Sequence, residues 1–214
     1  MKKANCGKSP IYIGCLPRSG STLLRNMLDS HPKLAADQEL FWPTVRNPIK
    51  ILENSYKKVV QPGQRFVIKD AMIMKIDYLK KLETLLENDF YFILIKRNPY
   101  DSLISYAKTK TDYNFIIYSK LFIEAYKWLK ENKWHSERYL EIRYESLVKH
   151  PEDTLNKICK FTQVSFNLSM LEHHKFSESK KNIIIDHHSD QQAAKSVFCR
   201  IGQSIRQILE RNKF

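Results

Sequence analysis

Pro17-Arg18-Ser19-Gly20-Ser21-Thr22 lies between an apolar run, Ile11–Cys15, and a stretch, 22–30, whose Leu23, Leu24, Met27 and Leu28 recur at helical spacing. A small-residue turn between a strand and a helix aims several backbone N–H groups at one point. The helix N-terminus adds partial positive charge there, so the turn suits a phosphate-like anion. The competing reading is an ordinary tight turn between strand and helix. A nucleoside triphosphatase would carry GxxxxGK[ST] here. Aligned on Gly20-Ser21-Thr22, Ser21 stands where the lysine belongs and Cys15 where the first glycine belongs. The positive charge has moved to Arg18.

A second anion site follows the run 90–95 (FYFILI). Arg97 is expected at the carboxyl end of that strand, where open α/β sheets bind ligands. Asn98-Pro99 restarts the chain as a helix, and Ser105 falls about two turns into it. An arginine fork and a serine hydroxyl can clasp one phosphate together. The alternative is a surface arginine paired with Asp101. The strand runs into Lys96-Arg97 and no magnesium-binding acidic residue stands out, which disfavours metal-assisted phosphoryl transfer. Two phosphate sites on strand ends imply a ligand with a phosphate at each end.

The elements that would position these residues alternate. Strands are expected at Ile11–Cys15, 65–69, 90–95 and 138–143. Helices are expected at 22–30, 78–86, from Pro99 onward, at 114–130, 151–161 and 201–210. Such alternation predicts a single α/β domain over residues 1–214, with a parallel sheet of about four or five strands flanked by helices. The unalternating apolar run 90–95 fits a strand covered on both faces.

The chain has 214 residues and a net charge of +13. That excess points to an anionic partner: nucleic acid, a membrane surface, or a phosphorylated or sulfated small molecule. No apolar run approaches the ~20 residues of a spanning helix, so stable membrane insertion is not expected. The apolar run 11–16 is too short for a signal peptide, so a cytoplasmic location is expected. Cys6, Cys15, Cys159 and Cys199 show no CxxC spacing and read as reduced thiols, with no metal site. His31 reads as a helix stop. The pairs His173-His174 and His187-His188 read as surface residues.

The run PRSGSTLLRNMLDSHP, 17–32, resembles the 5′-phosphosulfate loop of the sulfotransferases, most nearly the tyrosylprotein-type and related bacterial branch. Arg97-Asn98-Pro99 with Ser105 resembles that family's 3′-phosphate motif. Arg143-Tyr144-Glu145-Ser146-Leu147-Val148-Lys149-His150-Pro151 resembles its downstream RYExLVxxP segment. The resemblance implies a P-loop NTPase-like fold and 3′-phosphoadenosine 5′-phosphosulfate (PAPS) as donor, with adenosine 3′,5′-bisphosphate (PAP) as product. It implies in-line sulfuryl transfer to a hydroxyl or amine of a small-molecule, saccharide or peptide acceptor. Arg18, Ser19, Gly20, Ser21 and Thr22 would bind the 5′-phosphosulfate, Arg97 and Ser105 the 3′-phosphate, and Tyr144 the cofactor. Glu39 takes the place of the family's general base, with Asp37 in reserve. Arg18 and Lys69 would stabilise charge on the sulfuryl oxygens and leaving phosphate. For Lys69 the competing reading is a surface lysine.

Two departures stand out. Asp37-Gln38 replaces the family's GE before Glu39, and Ser204 in Ile201-Gly202-Gln203-Ser204 replaces a tryptophan near the adenosine. They motivate a second reading, a PAP- or PAPS-binding module without turnover. A duplex-DNA binder lacks a recognition helix or stacking platform, and a kinase lacks its lysine, so neither is expected.

Overall fold

The computed structural model describes residues 4–7, 9–37, 48–70, 89–107 and 137–176, with single positions at 84, 86, 123, 124 and 127. The chain divides into two compact units, Met1–Ser177 and Glu178–Phe214, and the described residues belong to the first. The expected helix at 201–210 lies outside the described residues, as does nearly all of 78–86 and of 114–130.

Five strands form one sheet: β1 (Ile11–Cys15), β2 (Leu34–Ala36), β3 (Arg65–Asp70), β4 (Tyr91–Lys96) and β5 (Tyr139–Arg143). Their order is β2-β3-β1-β4-β5 and all four pairings are parallel. All five carboxyl ends therefore point the same way. β1 occupies the centre, with β3 on one side and β4 on the other. That is where successive strands switch sides, and such a switch opens a ligand crevice beyond the strand ends.

Side-chain alternation divides the core into two layers. Ile11, Ile13 and Cys15 of β1 face Leu24 and Leu28 of helix α1 (Ser21–Asp29), together with Ile93, Ile95 and Ile158. Tyr12 points the other way, to Phe66, Ile68, Phe92 and Leu94, under helix α2 (Pro48–Val59). Both faces of β1 and of most of β4 are buried, as the unalternating run 90–95 required. β5 is an edge strand, and only Ile142 of its five residues is fully buried.

Sequence pattern did not foresee β2 or α2. β2 is three residues long, too short for a periodic signal. α2 did carry one, since Ile49, Leu52, Tyr56 and Val59 recur at helical spacing and pack on the second layer. Helix α3 (Pro99–Ala107) follows β4 as expected. Helix α4 (Tyr144–Lys149) follows β5 directly, and helix α5 (Pro151–Thr162) begins with proline in its first turn. A 3₁₀ turn (Leu168–Met170) and the short helix α6 (His173–Phe176) close the described part.

Candidate functional site

The 17–22 loop joins the buried end of β1 to α1. Ser19 N donates to Leu16 O at 3.3 Å, and Leu24 N donates to Gly20 O at 3.1 Å, opening the helix. Arg18 (φ 65°) and Gly20 (φ 91°) both take left-handed backbone. For a non-glycine residue this costs about 1–3 kcal/mol and persists only where the surroundings hold it. Arg97 supplies one such restraint, since its Nη1 donates to Arg18 O at 3.1 Å. The N-cap residue of α1 is Gly20, which has no side chain to cap the helix, so its first-turn amides are free of that competition. Ser19 is fully buried and its Oγ finds no hydrogen-bond partner among the described residues. An orphaned hydroxyl beside uncapped amides fits an anion.

Two cations reach this loop from other elements, and a third, Arg18, belongs to it. Lys69, on β3, is only 6% exposed, and its Nζ donates to Thr22 Oγ1 at 3.0 Å. This corrects the surface-lysine alternative: the parallel pairing of β3 with β1 carries Lys69 to the first turn of α1. Arg97, just past β4, lies with its guanidinium carbon 4.5 Å from the centroid of the Tyr144 ring. Arg18 turns its side chain toward α3, where Nε donates to Ser105 Oγ at 3.0 Å. Having accepted this bond, the Ser105 hydroxyl still has its own proton to donate to an anion. The expected partners of the two anion sites thus interlock, with Arg18 bridging from the loop to the α3 serine.

Tyr144 packs against the loop from the end of β5. A Cβ on Gly20 would meet Tyr144 Cδ2 inside van der Waals contact and Cε2 at 2.7 Å. Glycine is therefore required at position 20 twice over, by its φ and by the ring. Lys96, the neighbour of Arg97, is ion-paired to Glu141 at 2.6 Å across β4 and β5. Of the Lys96-Arg97 pair, only the arginine turns to the loop.

Other expected residues fall elsewhere. His31 is buried at 2% exposure, and its Nδ1 accepts from Lys33 N at 3.0 Å. Its Nε2 must then carry the proton donated to Ser165 O, 2.7 Å away. His31 is thus a structural stop after α1, as the sequence indicated. Asp37 is committed to α2: Oδ2 accepts from Ser55 Oγ at 2.8 Å, and Oδ1 meets Lys58 Nζ at 3.1 Å. Glu39, Gln38, the 201–204 segment and His187-His188 lie outside the described residues.

Sequence reading missed two supports. Arg25 is 8% exposed in the apolar stripe of α1, and donates to Asn26 Oδ1 at 2.5 Å and to Asp37 O at 3.4 Å. Its signal was an arginine directly after Leu24. Glu145, a fixed position of the RYExLVxxP segment to which no role was given, accepts through Oε1 from Asn98 N at 2.9 Å, a partner 47 residues away. A hollow of about 520 Å³ lies at the opposite, amino-terminal ends of the strands, lined by Cys6, Ser9, Arg65, Tyr91 and Arg138 among others. It is separate from the loop. Among the described residues no group of three His, Cys, Asp or Glu side chains is placed to hold a metal ion. No helix among them is long and apolar enough to cross a membrane.

Comparison with known proteins gives a consistent picture. The sulfotransferase domain family matches residues 8–210. A protein-tyrosine sulfotransferase of Drosophila melanogaster is 26% identical over 212 residues, covering 78% of this chain and 40% of that protein. The chain spans about half the length of the curated relatives it matches. Among solved structures, the sulfotransferase domain of a Synechococcus olefin synthase superposes with a TM-score of 0.62 at 19% identity, covering 81% of this chain and 78% of that one. A mouse sulfotransferase complexed with PAP superposes at 0.56 with 17% identity, covering 81% and 65%. These structural likenesses concern the fold.

Proposed function

The chain belongs to the sulfotransferase family, and from that premise we propose that it binds PAPS and transfers the sulfuryl group to an acceptor hydroxyl or amine, releasing PAP. One observation carries the reading: Arg18, Lys69 and Arg97 come from three different elements and all engage the 17–22 loop or its partners. A donor with phosphate at both ends has the charge such a site requires. The relatives named protein-tyrosine sulfotransferases make a tyrosine phenol one acceptor to test, beside sugars and small alcohols.

The donor supplies a sulfuryl group on a phosphate leaving group. The acceptor oxygen bonds to sulfur in line as the sulfur–oxygen bond to that phosphate breaks. The 17–22 loop holds the 5′ end through its backbone amides, Ser19, Ser21 and Thr22. Arg97 and Ser105 hold the 3′-phosphate. Lys69, buried against Thr22, and Arg18 face the charge that develops on the sulfuryl and phosphate oxygens. Glu39 takes the acceptor proton. Its rival Asp37 is tied to Ser55 and Lys58 and is less suited to that role.

The test is transfer of labelled sulfate from PAPS to a panel of tyrosine peptides, sugars and alcohols. Glu39→Gln is expected to lower kcat by about 10²–10⁴-fold while leaving PAP affinity within about twofold. Tight PAP binding with no transfer to any acceptor would favour the binding-module reading instead.

A further inference from the structure

The register of β4 with β5 places Lys96 opposite Arg143. The next residues, Arg97-Asn98 and Tyr144-Glu145, therefore leave the sheet side by side. Each makes a contact that the anion sites depend on. The Tyr144 ring lies against Gly20 of the loop and under the Arg97 guanidinium. Glu145 Oε1 accepts from Asn98 N, the amide immediately after Arg97, at 2.9 Å. Asn98 in turn caps α3, its Oδ1 accepting from Tyr100 N at 2.9 Å. So one dipeptide touches the loop with its first side chain and the backbone beside Arg97 with its second.

We propose that Tyr144 and Glu145 form a strut that fixes the distance between the loop and Arg97, and that this spacing selects a nucleotide bearing phosphates at both its 3′ and 5′ positions. The inference rests on the donor reading above and names a specificity device within the same site. Glu145 is a positioning residue, acting on the ligand through Asn98 and Arg97. It pins Arg97 from the backbone, while Tyr144 pins it from the ring face. Loss of either leaves Arg97 and α3 tied to the loop through the Arg97–Arg18 O and Arg18–Ser105 bonds. Grip on the 3′-phosphate then weakens more than grip on the 5′ end, most of whose donors are the loop's own amides.

The experiment titrates the full chain with adenosine 3′,5′-bisphosphate and with AMP by calorimetry, in wild type, Glu145→Ala, Glu145→Gln and Tyr144→Leu. Glu145→Ala is expected to cut the bisphosphate-over-AMP preference by about tenfold, the loss of one hydrogen bond to a charged acceptor, with a smaller loss for AMP than for the bisphosphate. Glu145→Gln keeps a carbonyl acceptor for Asn98 N and is expected to restore most of the preference. Tyr144→Leu, which retains an apolar filler beside Gly20, should lose preference in the same direction. Wild-type preference that persists within about twofold in both Glu145→Ala and Tyr144→Leu overturns the strut. So does a parallel loss of AMP and bisphosphate affinity, which marks general damage. A wild-type chain without bisphosphate preference overturns the donor reading itself, a separate result.

Discussion

Gly20→Ala tests the packing of the loop against Tyr144 quantitatively. Left-handed backbone at an alanine costs about 1–2 kcal/mol. The added methyl would also stand 2.7 Å from Tyr144 Cε2 and closer still to Cδ2, so ring or loop must move. Overpacking of this kind costs about 1–3 kcal/mol. The sum is about 2–5 kcal/mol, a large part of the ~5–15 kcal/mol typical of a folded domain. Only the second part depends on the ring. Urea unfolding of wild type, Gly20→Ala, Tyr144→Ala and the double variant separates the two parts. Gly20→Ala should be less harmful by at least about 1 kcal/mol in the Tyr144→Ala background. The residual cost there should match the backbone term. Additive effects, within about 0.5 kcal/mol, would refute the argument that the tyrosine holds the loop.

Two further outcomes follow from local contacts. His31→Ala should destabilise the fold by about 1–3 kcal/mol, because Ser165 O and Lys33 N lose their partner, yet leave bisphosphate affinity unchanged. Thermal unfolding and calorimetry on the same sample check it. Asp89 accepts from Arg138 Nη1 at 2.5 Å and from Ser9 Oγ at 2.7 Å, and these bonds hold its carboxyl below the usual carboxylate range. A depressed folded value stabilises above the unfolded value and is lost as pH falls through the folded one. The stability gap between wild type and Asp89→Asn should thus be present at pH 7 and shrink below about pH 4, as urea midpoints across pH would show. A gap that widens with acid would contradict the assignment.

The parallel sheet was legible because β1 and β4 are apolar on both faces, and unalternating runs of that kind belong to covered strands. The loop was legible because its backbone needs small residues, and those are visible as letters. What joins the site was not. Lys69 meets Thr22 across 47 residues through the β1–β3 register, and Glu145 meets Asn98 through the β4–β5 register. Register between distant strands has no local signature, so each residue could be suspected but not paired. Arg18 was assigned to the 5′ end of a ligand, and its side chain bonds Ser105, the residue assigned to the 3′ end, a link across 87 residues that no local pattern signals. β2 and α2 escaped for opposite reasons: one is too short to be periodic, and the other interleaves its periodic apolar positions with Lys50, Glu53, Lys57 and Lys58.

The central claim is that this site reads phosphate at both ends of a nucleotide. The most direct measurement is the ratio of the wild-type affinities for adenosine 3′,5′-bisphosphate and AMP, by calorimetry at one fixed salt concentration. Even one charge-assisted bond from Arg97 or Ser105 to the 3′-phosphate predicts a preference of at least about tenfold for the bisphosphate. Equal affinity for the two nucleotides would contradict the account.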